Sequence, residues 1–379
     1  MSYRFTVLDG PARLGEHLAA WEDLAACAAE PNVFYEPWML LPAVEAFGQG
    51  SALRFVLAYS EQPGRPRELC ALFPLELRSR YHGLPFTYLR LWKHKHCYLA
   101  TPLVRQTQVR ECLAAFLDWI AADPRGASFI EWGLVSGDGM FYECLRGVLH
   151  DTRRRSFESK RFTRAVLRPR QNAVAFLAET LSSKSRKEFR RLERRLSDLG
   201  TVQYTEAHGV DESQRLIQDF LELEARGWKG HRGSALSCDE ADRRFFTRIV
   251  GEAVRRGRCM MLGLAIAGRP VALKCNFLAG DGSFAFKIAY DEAFARYSPG
   301  VLLELENIRR FHLRPGLRWM DSCAEAEHFM ANRLWVDRRI LVTIVTASGV
   351  AGNFCVAALP LFRRLYRSLR GALPATATS

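Results

Sequence analysis

The 379-residue sequence predicts an α/β protein (α+β in arrangement) with two domains, each a mixed, mostly antiparallel sheet flanked by helices. Three observations predict this class. Hydrophobic residues make up 48% of the chain, which is enough for two cores of ordinary size. Alternating runs typical of strands are interspersed with apolar residues at helical spacing. Three strand patterns also follow one another directly, at 258–267, 270–278 and 283–290, which indicates an antiparallel meander.

The first half of the chain alternates between strand and helix patterns. Its N-terminus, MSYRFTVLDG, alternates polar and apolar residues like a strand, and we expect no signal peptide because an apolar core is missing. The predicted strands are 3–8, 53–60, 68–79, 87–92, 127–132 and 151–157, and the predicted helices are 13–28, 37–47, 107–122 and 138–148.

The second half carries the meander. A strand pattern from Arg161 to Arg168 places the junction near residues 158–162, so the predicted domains are 1–160 and 161–379. The predicted helices are 172–181, 185–199, 212–227, 239–256, 299–313 and 326–334, and the further predicted strands are 201–207, 317–321 and 338–346.

Local signals support several of these elements. In SRKEFRRLERRLSDLG, Ser185 followed by Glu188 predicts a capping box at the helix start, and Gly200 suits a left-handed turn at its end. In LAIAGRPVALK, Gly268-Arg269 joins two alternating apolar runs, which is the pattern of a tight hairpin.

Composition and spacing exclude several classes of protein. The ten cysteines are spaced singly without a CxxC pair, which argues against a zinc ribbon or a disulfide framework and indicates a reducing, cytoplasmic setting. The stretch KHKHC (93–97) offers two histidines without a third ligand, so we expect no metal site. Residues 340–362 are long enough to span a bilayer, but Gly349 divides them. We therefore expect a buried strand and helix there rather than a membrane anchor.

The net charge of +13 is concentrated in one region. From Asp151 to Leu196 the chain has 15 Lys or Arg against five Asp or Glu. A solvated helix face would account for this excess. Alternatively, the region attracts a polyanion, which would be nucleic acid, an anionic membrane surface or a nucleotide.

The stretch ARYSPGVLLEL puts a helix start directly after a strand. Ser298 suits the N-cap and Pro299 the first helical turn. Gly300 would let a ligand approach the backbone, and Arg296 can contact a phosphate with two hydrogen bonds. A helix N-terminus binds phosphate through its free N–H groups, although an ordinary capped helix explains the same residues.

The meander, a strand ending in Tyr290-Asp291-Glu292, this helix start and a next strand ending in Asp321 together resemble the core of the GNAT acyltransferases. In that superfamily an R/Q-x-x-G-x-G/A loop binds the pyrophosphate of coenzyme A, and residues 296–302 keep only one arginine and one glycine of it. The cofactor-binding residues that this resemblance implies are Arg296, Ser298, Pro299, Gly300 and Val301.

More specifically, the chain is similar to the CelD-like branch of GNAT proteins, which is associated with cellulose biosynthesis and related to the FemAB peptidyltransferases. Three segments carry the similarity: SSKSRKEFRRLERRLSDLG (182–200), FLELEARGWKGHRGSAL (220–236) and AYDEAFARYSPGVLLELENI (289–308). The similarity implies two tandem GNAT-like domains, with the acyl-donor site in the second and the acceptor in its cleft.

GNAT chemistry implies a base for the amine and an acid for the leaving thiolate. Glu224 is the candidate base, because it lies beside Trp228 and Lys229 on a helix leading towards the meander; a solvated helix glutamate is the alternative. Trp228 and Lys229 are candidate substrate contacts in a glycine-bracketed loop, or they pack beneath it. Tyr290 and Asp291 are the further candidate substrate contacts.

Two more catalytic candidates follow the next strand. Asp321 would orient the amine, or it caps the following helix. The tyrosine that serves as the acid in many GNAT enzymes is missing from DSCAEAEHFMANRLW (321–335). His328 is the candidate to replace it, with Cys323 or water as alternatives, and a structural role for His328 stays open.

The resemblance therefore implies N-acyl transfer from an acyl-CoA, with acetyl-CoA the expected donor, to a small-molecule or saccharide amine in polysaccharide or cell-envelope biosynthesis. Two alternatives remain. A FemX-like transferase would take an aminoacyl-tRNA, whose phosphates the basic region would bind. A degenerate GNAT fold would instead act as a non-catalytic scaffold in polysaccharide export.

Overall fold

The computed structural model describes residues 2–61, 63–64, 66–123, 127–207, 209–350 and 352–360. Its strands are β1 (Ser2–Asp9), β2 (Leu53–Glu61), β3 (Glu68–Arg78), β4 (Tyr88–Leu91), β5 (Leu103–Val104), β6 (Phe129–Ser136), β7 (Ser156–Leu167), β8 (Val202–Glu206), β9 (Cys259–Ile266), β10 (Arg269–Ala279), β11 (Gly282–Tyr290), β12 (Trp319–Asp321) and β13 (Asp337–Ala347). Its α-helices are α1 (Leu18–Ala26), α2 (Pro37–Phe47), α3 (Val109–Ala121), α4 (Met140–Asp151), α5 (Ala173–Thr180), α6 (Ser183–Ser197), α7 (Val210–Arg226), α8 (Trp228–His231), α9 (Glu240–Arg255), α10 (Pro299–His312) and α11 (Phe329–Leu334). The predicted α/β class is confirmed.

Contacts group the described chain into two units that interleave along the sequence. The first unit contains the residues up to Glu30, Gly50–Phe162 and the residues from Ile340 onward, and the second contains Pro31–Gln49 and Thr163–Arg339. The domain boundary expected from the sequence, 160/161, is close to one of these junctions. It does not anticipate that α2 belongs to the second unit or that most of β13 belongs to the first, because both assignments depend on contacts distant in sequence.

The first unit is built around a sheet with the strand order β1-β2-β3-β4-β6-β13, in which β5 pairs with β3. Its strands are antiparallel except for the β4–β6 pair. The rings of Phe73 and Phe116 stack at 3.9 Å between centroids, which fixes α3 on this sheet. The indole N–H of Trp132 donates to Thr346 Oγ1 at 2.8 Å, so the buried polar atoms between β6 and β13 are paired.

Strand β7 corrects one prediction. The sequence predicts two strands, 151–157 and 161–168, whereas α4 continues to Asp151 and a single strand covers Ser156–Leu167. Exposed charged residues such as Lys160 and Arg161 interrupt the apolar pattern but not the strand, because only its last four residues are buried. The junction between the two units falls within this strand.

The second unit is built on a sheet with the order β7-β12-β11-β10-β9-β8, in which only β11 and β12 are parallel. The predicted meander is confirmed as β9, β10 and β11. Its first turn differs in register: Ala267 and Gly268, with φ of 48° and 80°, form the turn, and Arg269 already belongs to β10. Two successive positive φ values are what a tight hairpin turn requires.

Helices cover both faces of this sheet. On one face, Ala272 and Ala285 belong to the same core as Leu303 and Ile308 of α10. On the other face, Phe277 and Phe286 contact each other, and Phe277 meets Trp38 of α2. Helix α10 and helix α2 therefore lie on opposite sides of the strands that carry the meander.

Helix α6 starts earlier than its predicted cap. Ser182 is the N-cap, and its Oγ accepts a hydrogen bond from the Ser185 N–H at 3.1 Å. The predicted capping box with Ser185 at the cap is therefore wrong, and Glu188 pairs instead with Arg191 at 2.7 Å. Phe189 is buried as the helical spacing predicts, and Gly200 has a positive φ of 147°.

The apolar stretch 340–362 forms a strand and a helix as far as it is described. Strand β13 ends at Ala347, and residues 352–360 are helical. The end of the predicted helix lies outside the described residues. No helix in the described ranges combines the length and the apolar composition needed to cross a membrane.

Candidate functional site

Strands β11 and β12 separate early in the sheet of the second unit. Their parallel pairing begins at Gly282↔Trp319 and ends at Phe284↔Asp321, where β12 stops. Strand β11 continues through residues 285–290. One backbone edge of this segment pairs with β10, and the opposite edge is the one on which β12 has ended. No described strand pairs with the outer side of 285–290, so the backbone edge of this segment faces a gap.

This open edge of β11 leads to the start of α10. Ser298 precedes the helix in the left-handed conformation, with φ and ψ both 51°, and Pro299 is its first residue. The Ser298 side chain makes no capping hydrogen bond, whereas its carbonyl accepts from the N–H groups of Val301 and Leu302 at 3.0 and 3.1 Å. The N-cap position is thus as predicted, but the hydroxyl does not cap the helix.

Gly300 packs against the end of β11. A Cβ atom at Gly300 would lie 3.5 Å from Cδ1 of Tyr290, which is ordinary van der Waals contact. Arg296 is exposed, and its guanidinium lies 4.8 Å from the ring centroid of Tyr297. The pyrophosphate-binding roles expected of Arg296, Ser298, Pro299, Gly300 and Val301 remain predictions.

A buried polar cluster spans β10 and α10 beside the gap. It consists of Lys274, Asn276, Glu304 and Asn307, each at most 3% exposed. Lys274 Nζ lies 2.9 Å from Glu304 Oε2, and Asn307 Nδ2 donates to Glu304 Oε1 at 2.7 Å. Asn276 Nδ2 donates to Asn307 Oδ1 at 2.9 Å. Asn307 Nδ2 also lies 3.3 Å from the sulfur of Met320, so the cluster extends to the paired part of β12.

Burying this polar cluster costs folding free energy. Burying an ion costs several kcal/mol in real proteins, and a pair recovers this only with good geometry and further hydrogen bonds. Asn276 Oδ1 and Ser283 Oγ are buried here without a hydrogen-bond partner in the described chain. Each such group costs about 1–3 kcal/mol. Unsatisfied polar groups beside an opening are typical of functional sites, so we take this cluster as the centre of the candidate site.

Asp321 closes an ion-pair network at the end of β12. Its Oδ1 lies 2.6 Å from Arg164 Nε, Arg339 Nη1 donates to its Oδ2 at 2.8 Å, and the Cys323 N–H donates to Oδ1 at 2.9 Å. Burial alone would raise the pKa of Asp321, but the charges of the two arginines outweigh burial and the pKa is lowered. Orientation of an amine by this fully buried carboxylate remains a prediction.

His328 stands beside the buried polar cluster as the N-cap of α11. Its Nδ1 accepts a hydrogen bond from the Ala331 N–H at 3.3 Å. Packing around the ring and the positive charge of Lys274 lower the pKa of His328, and Glu304 opposes them. The imidazole is therefore mainly neutral at pH 7, with its proton on Nε2. Burial raises the pKa of the Cys323 thiol well above its ordinary value, so the thiol stays protonated at neutral pH.

Glu224, Lys229 and Trp228 lie together at the end of α7. Glu224 is 3% exposed, which excludes the solvated helix glutamate. Its Oε1 accepts from Lys229 Nζ at 2.6 Å and its Oε2 accepts from the Leu236 N–H at 2.8 Å. The Trp228 side chain is exposed. The backbone N–H of Trp228 donates a hydrogen bond to Glu292 Oε1 at 2.6 Å. The predicted glycine-bracketed loop is therefore wrong: Trp228 and Lys229 belong to the short helix α8, whose start is tied to the segment that follows β11.

The structure thus places Glu224 with Lys229, Asp321 with Arg164 and Arg339, and His328 beside the buried polar cluster. Asp291 lies between β11 and α10, where its Oδ2 is 2.6 Å from Arg269 Nη2. The residues of the buried polar cluster escaped the sequence prediction. Lys274 within the apolar run VALKCNFL, and Glu304 and Asn307 three residues apart in VLLELENI, were the available signals. Among the described residues no three His, Cys, Asp or Glu side chains converge as a metal site.

The part of the sequence that contains the candidate site matches the model of a known protein family. Residues 183–330 match the model of an acetyltransferase (GNAT) domain. These residues form a GNAT-type acetyltransferase domain. The matched segment includes β11, α10, β12 and the buried polar cluster, and the predicted acyltransferase class of enzyme is confirmed.

Of the three solved structures described next, the first two share the fold at low sequence identity. FemX is 12% identical with a TM-score of 0.58, covering 96% of this chain and 99% of that chain. A conserved protein of unknown function from Bacteroides thetaiotaomicron is 12% identical with a TM-score of 0.53, covering 91% and 99%. A tandem GNAT protein from the clavulanic acid biosynthesis pathway is 16% identical with a TM-score of 0.43, covering 92% and 99%. None of the curated proteins compared matches this sequence.

Proposed function

We propose that the GNAT-type domain transfers an acyl group from acyl-CoA to an amine, and acetyl is the acyl group that we expect. The observation that carries this proposal is the short β11–β12 pairing, which leaves the edge of residues 285–290 open towards α10. An extended pantetheine arm can hydrogen-bond to such an edge as an added strand does. The pyrophosphate then meets the N-terminus of α10, where the helix dipole favours negative charge.

The buried polar cluster acts at the acyl end of this arm. Lys274 is opposite Ile288 in the β10–β11 register, within the open stretch of β11. Its ammonium group has three donor hydrogens, and one of them serves Glu304. Lys274 stabilises the negative charge that develops on the carbonyl oxygen when the amine attacks, and Glu304 and Asn307 hold it in position. The carbon–sulfur bond then breaks, and the proton lost by the amine balances the one that the thiolate gains.

The acceptor side involves the group around Glu224. The exposed Trp228 and Lys229 lie on the short helix α8, Lys229 pairs with Glu224 of α7, and Glu292 ties the start of α8 to the segment after β11. In this proposal Glu224 receives the proton of the amine when Lys229 moves to the substrate. The amine belongs to a small molecule or a saccharide, and an envelope polysaccharide pathway of the CelD-like type is the setting that we propose for it.

Calorimetric titration with acetyl-CoA tests the donor site. Val301→Asp places a carboxylate in the first turn of α10, where it repels a pyrophosphate, and its favourable interaction with the helix dipole offsets part of the contact that the half-buried valine loses with the core. We expect binding to weaken at least about tenfold, which corresponds to ~1.4 kcal/mol. Ser183→Asp makes the same kind of change at the start of α6 and is expected to leave binding unchanged. Absence of binding to the unmodified protein, or equal effects of the two variants, would contradict the proposal.

An aminoacyl-tRNA donor is the second candidate, because α6 exposes a basic face. Lys187, Arg190 and Arg194 are exposed on this helix. If tRNA binds there, the logarithm of its affinity falls linearly with the logarithm of salt concentration. Replacing all three with alanine should then flatten that slope by up to roughly 2–3 units. An unchanged slope, together with binding of acetyl-CoA that Val301→Asp weakens as expected, would reject this candidate.

A further inference from the structure

A pocket of about 280 Å³ lies between α5, α6, β8 and α10 in the second unit. Leu177 and Leu181 from α5 and its end, Phe189 from α6, and Leu302 and Leu305 from α10 form apolar walls. The volume is near the lower end of the range of small-molecule sites, which is about 300–1,000 Å³. The pocket therefore has the size and lining for a compact apolar ligand or a chain of medium length.

This pocket is separate from the proposed donor site. Leu302, Leu305 and Arg309 line it from α10 at spacings of three and four residues, which puts them on one side of the helix. Glu304 and Asn307 project from the opposite side, because successive residues of an α-helix are about 100° apart. A ligand in the pocket thus contacts the side of α10 opposite to the side that carries Glu304 and Asn307 of the buried polar cluster.

The mouth of the pocket is basic. Arg186 Nη2 donates to Ser183 Oγ at 3.2 Å, and Arg190 Nε donates to the Arg186 carbonyl at 3.3 Å. Within the described ranges neither guanidinium has a carboxylate partner, whereas the adjacent Arg191 is paired with Glu188 at 2.7 Å. Two arginines one helical turn apart are thus available beside an apolar interior.

The other charged side chains that line the pocket are already engaged. Glu193 accepts a hydrogen bond from the Tyr204 hydroxyl at 2.8 Å. Arg309 lies 3.2 Å from the carboxylate of Glu306. Glu193 keeps its negative charge when it accepts from a hydroxyl, so Arg186 and Arg190 outnumber one carboxylate in the lining and the net charge that a ligand meets is positive.

We propose that this pocket binds a single-tailed amphiphilic anion, with a medium-length alkyl tail against the leucines and a carboxylate or phosphate head on Arg186 and Arg190. Each methylene that leaves water strengthens binding. The planar guanidinium fork matches both carboxylate and phosphate oxygens. A neutral tail would gain only the apolar contacts, and an ion without a tail only the charged ones.

Calorimetric titration of the full chain with decanoate, decyl phosphate and 1-decanol tests the proposal. We expect at least one anion to bind, with the tighter of the two identifying the head group, and decanol to bind at least tenfold more weakly. Arg190→Ala should weaken anion binding at least tenfold, whereas Arg191→Ala on the same helix should not change it. Both residues are exposed, so folding is not at risk.

A second variant tests the location. Val174 lines the pocket with its side chain 76% exposed, so Val174→Trp can cover the entrance without entering the core. It should weaken anion binding at least tenfold, and Val301→Asp should leave it unchanged. Binding of neither anion, equal binding of decanol, equal effects of Arg190→Ala and Arg191→Ala, or no effect of Val174→Trp would each overturn the proposal.

Discussion

At the scale of single residues, the Lys274–Glu304 pair is the clearest conflict between stability and function. Both side chains are at most 4% exposed, and the lysine lies in the middle of an otherwise apolar strand. Apolar residues of similar size would fill these positions at less cost, as replacements of buried ion pairs in other proteins indicate. A role in binding the acyl group explains why charge is kept at these positions.

This explanation predicts different outcomes for stability and for donor binding. Lys274→Met leaves Glu304 buried and unpaired, and should lower the free energy of unfolding by about 3–5 kcal/mol. Adding Glu304→Met should restore most of that loss. Neither variant should retain the preference for acetyl-CoA over CoA that calorimetry is expected to reveal in the unmodified protein. A double variant that keeps this preference would leave the pair with a structural role only; Lys187→Met, at an exposed position, is the control.

At the scale of secondary-structure elements, repeated patterns were predictable and their ends were not. The predicted helix 37–47 is confirmed as α2, and the three strands of the meander agree within one residue at every end. Side-chain periodicity extends over whole elements, so it survives a local irregularity. The start of α6 and the turn before Arg269 depend on single hydrogen bonds and φ values, which residue types alone do not specify.

The candidate site shows the same division between pattern and contact. The start of α10 was predictable because Ser298-Pro299-Gly300 is a local signal. The buried polar cluster was not, because Lys274 and Glu304 are 30 positions apart in the sequence and meet only when α10 packs on β10. A polar residue in an apolar run has no assigned partner until the fold supplies one.

At the scale of the whole molecule, the second unit depends on a segment from early in the chain. The segment Pro31–Gln49 belongs to this unit, and Glu36 at the start of α2 is 3% exposed. Glu36 pairs with Arg258 and accepts a hydrogen bond from the indole N–H of Trp38 at 2.6 Å. Burial raises the pKa of Glu36 to about 7, although the charge of Arg258 acts to lower it.

The raised pKa makes the attachment of this segment dependent on pH. An unfolded glutamate has a pKa near 4.3, so the stability that protonated Glu36 provides is complete below that pH and is lost as the pH rises through about 7. The loss amounts to roughly 3–4 kcal/mol at most. Denaturant unfolding at pH 5 and pH 8 should therefore show Glu36→Gln gaining stability relative to the unmodified protein as the pH rises. Glu45 lies in the same segment as Glu36 and forms an exposed ion pair with Arg248. Glu45→Gln should show no such trend. If both variants respond to pH alike, Glu36 does not control how this segment is held.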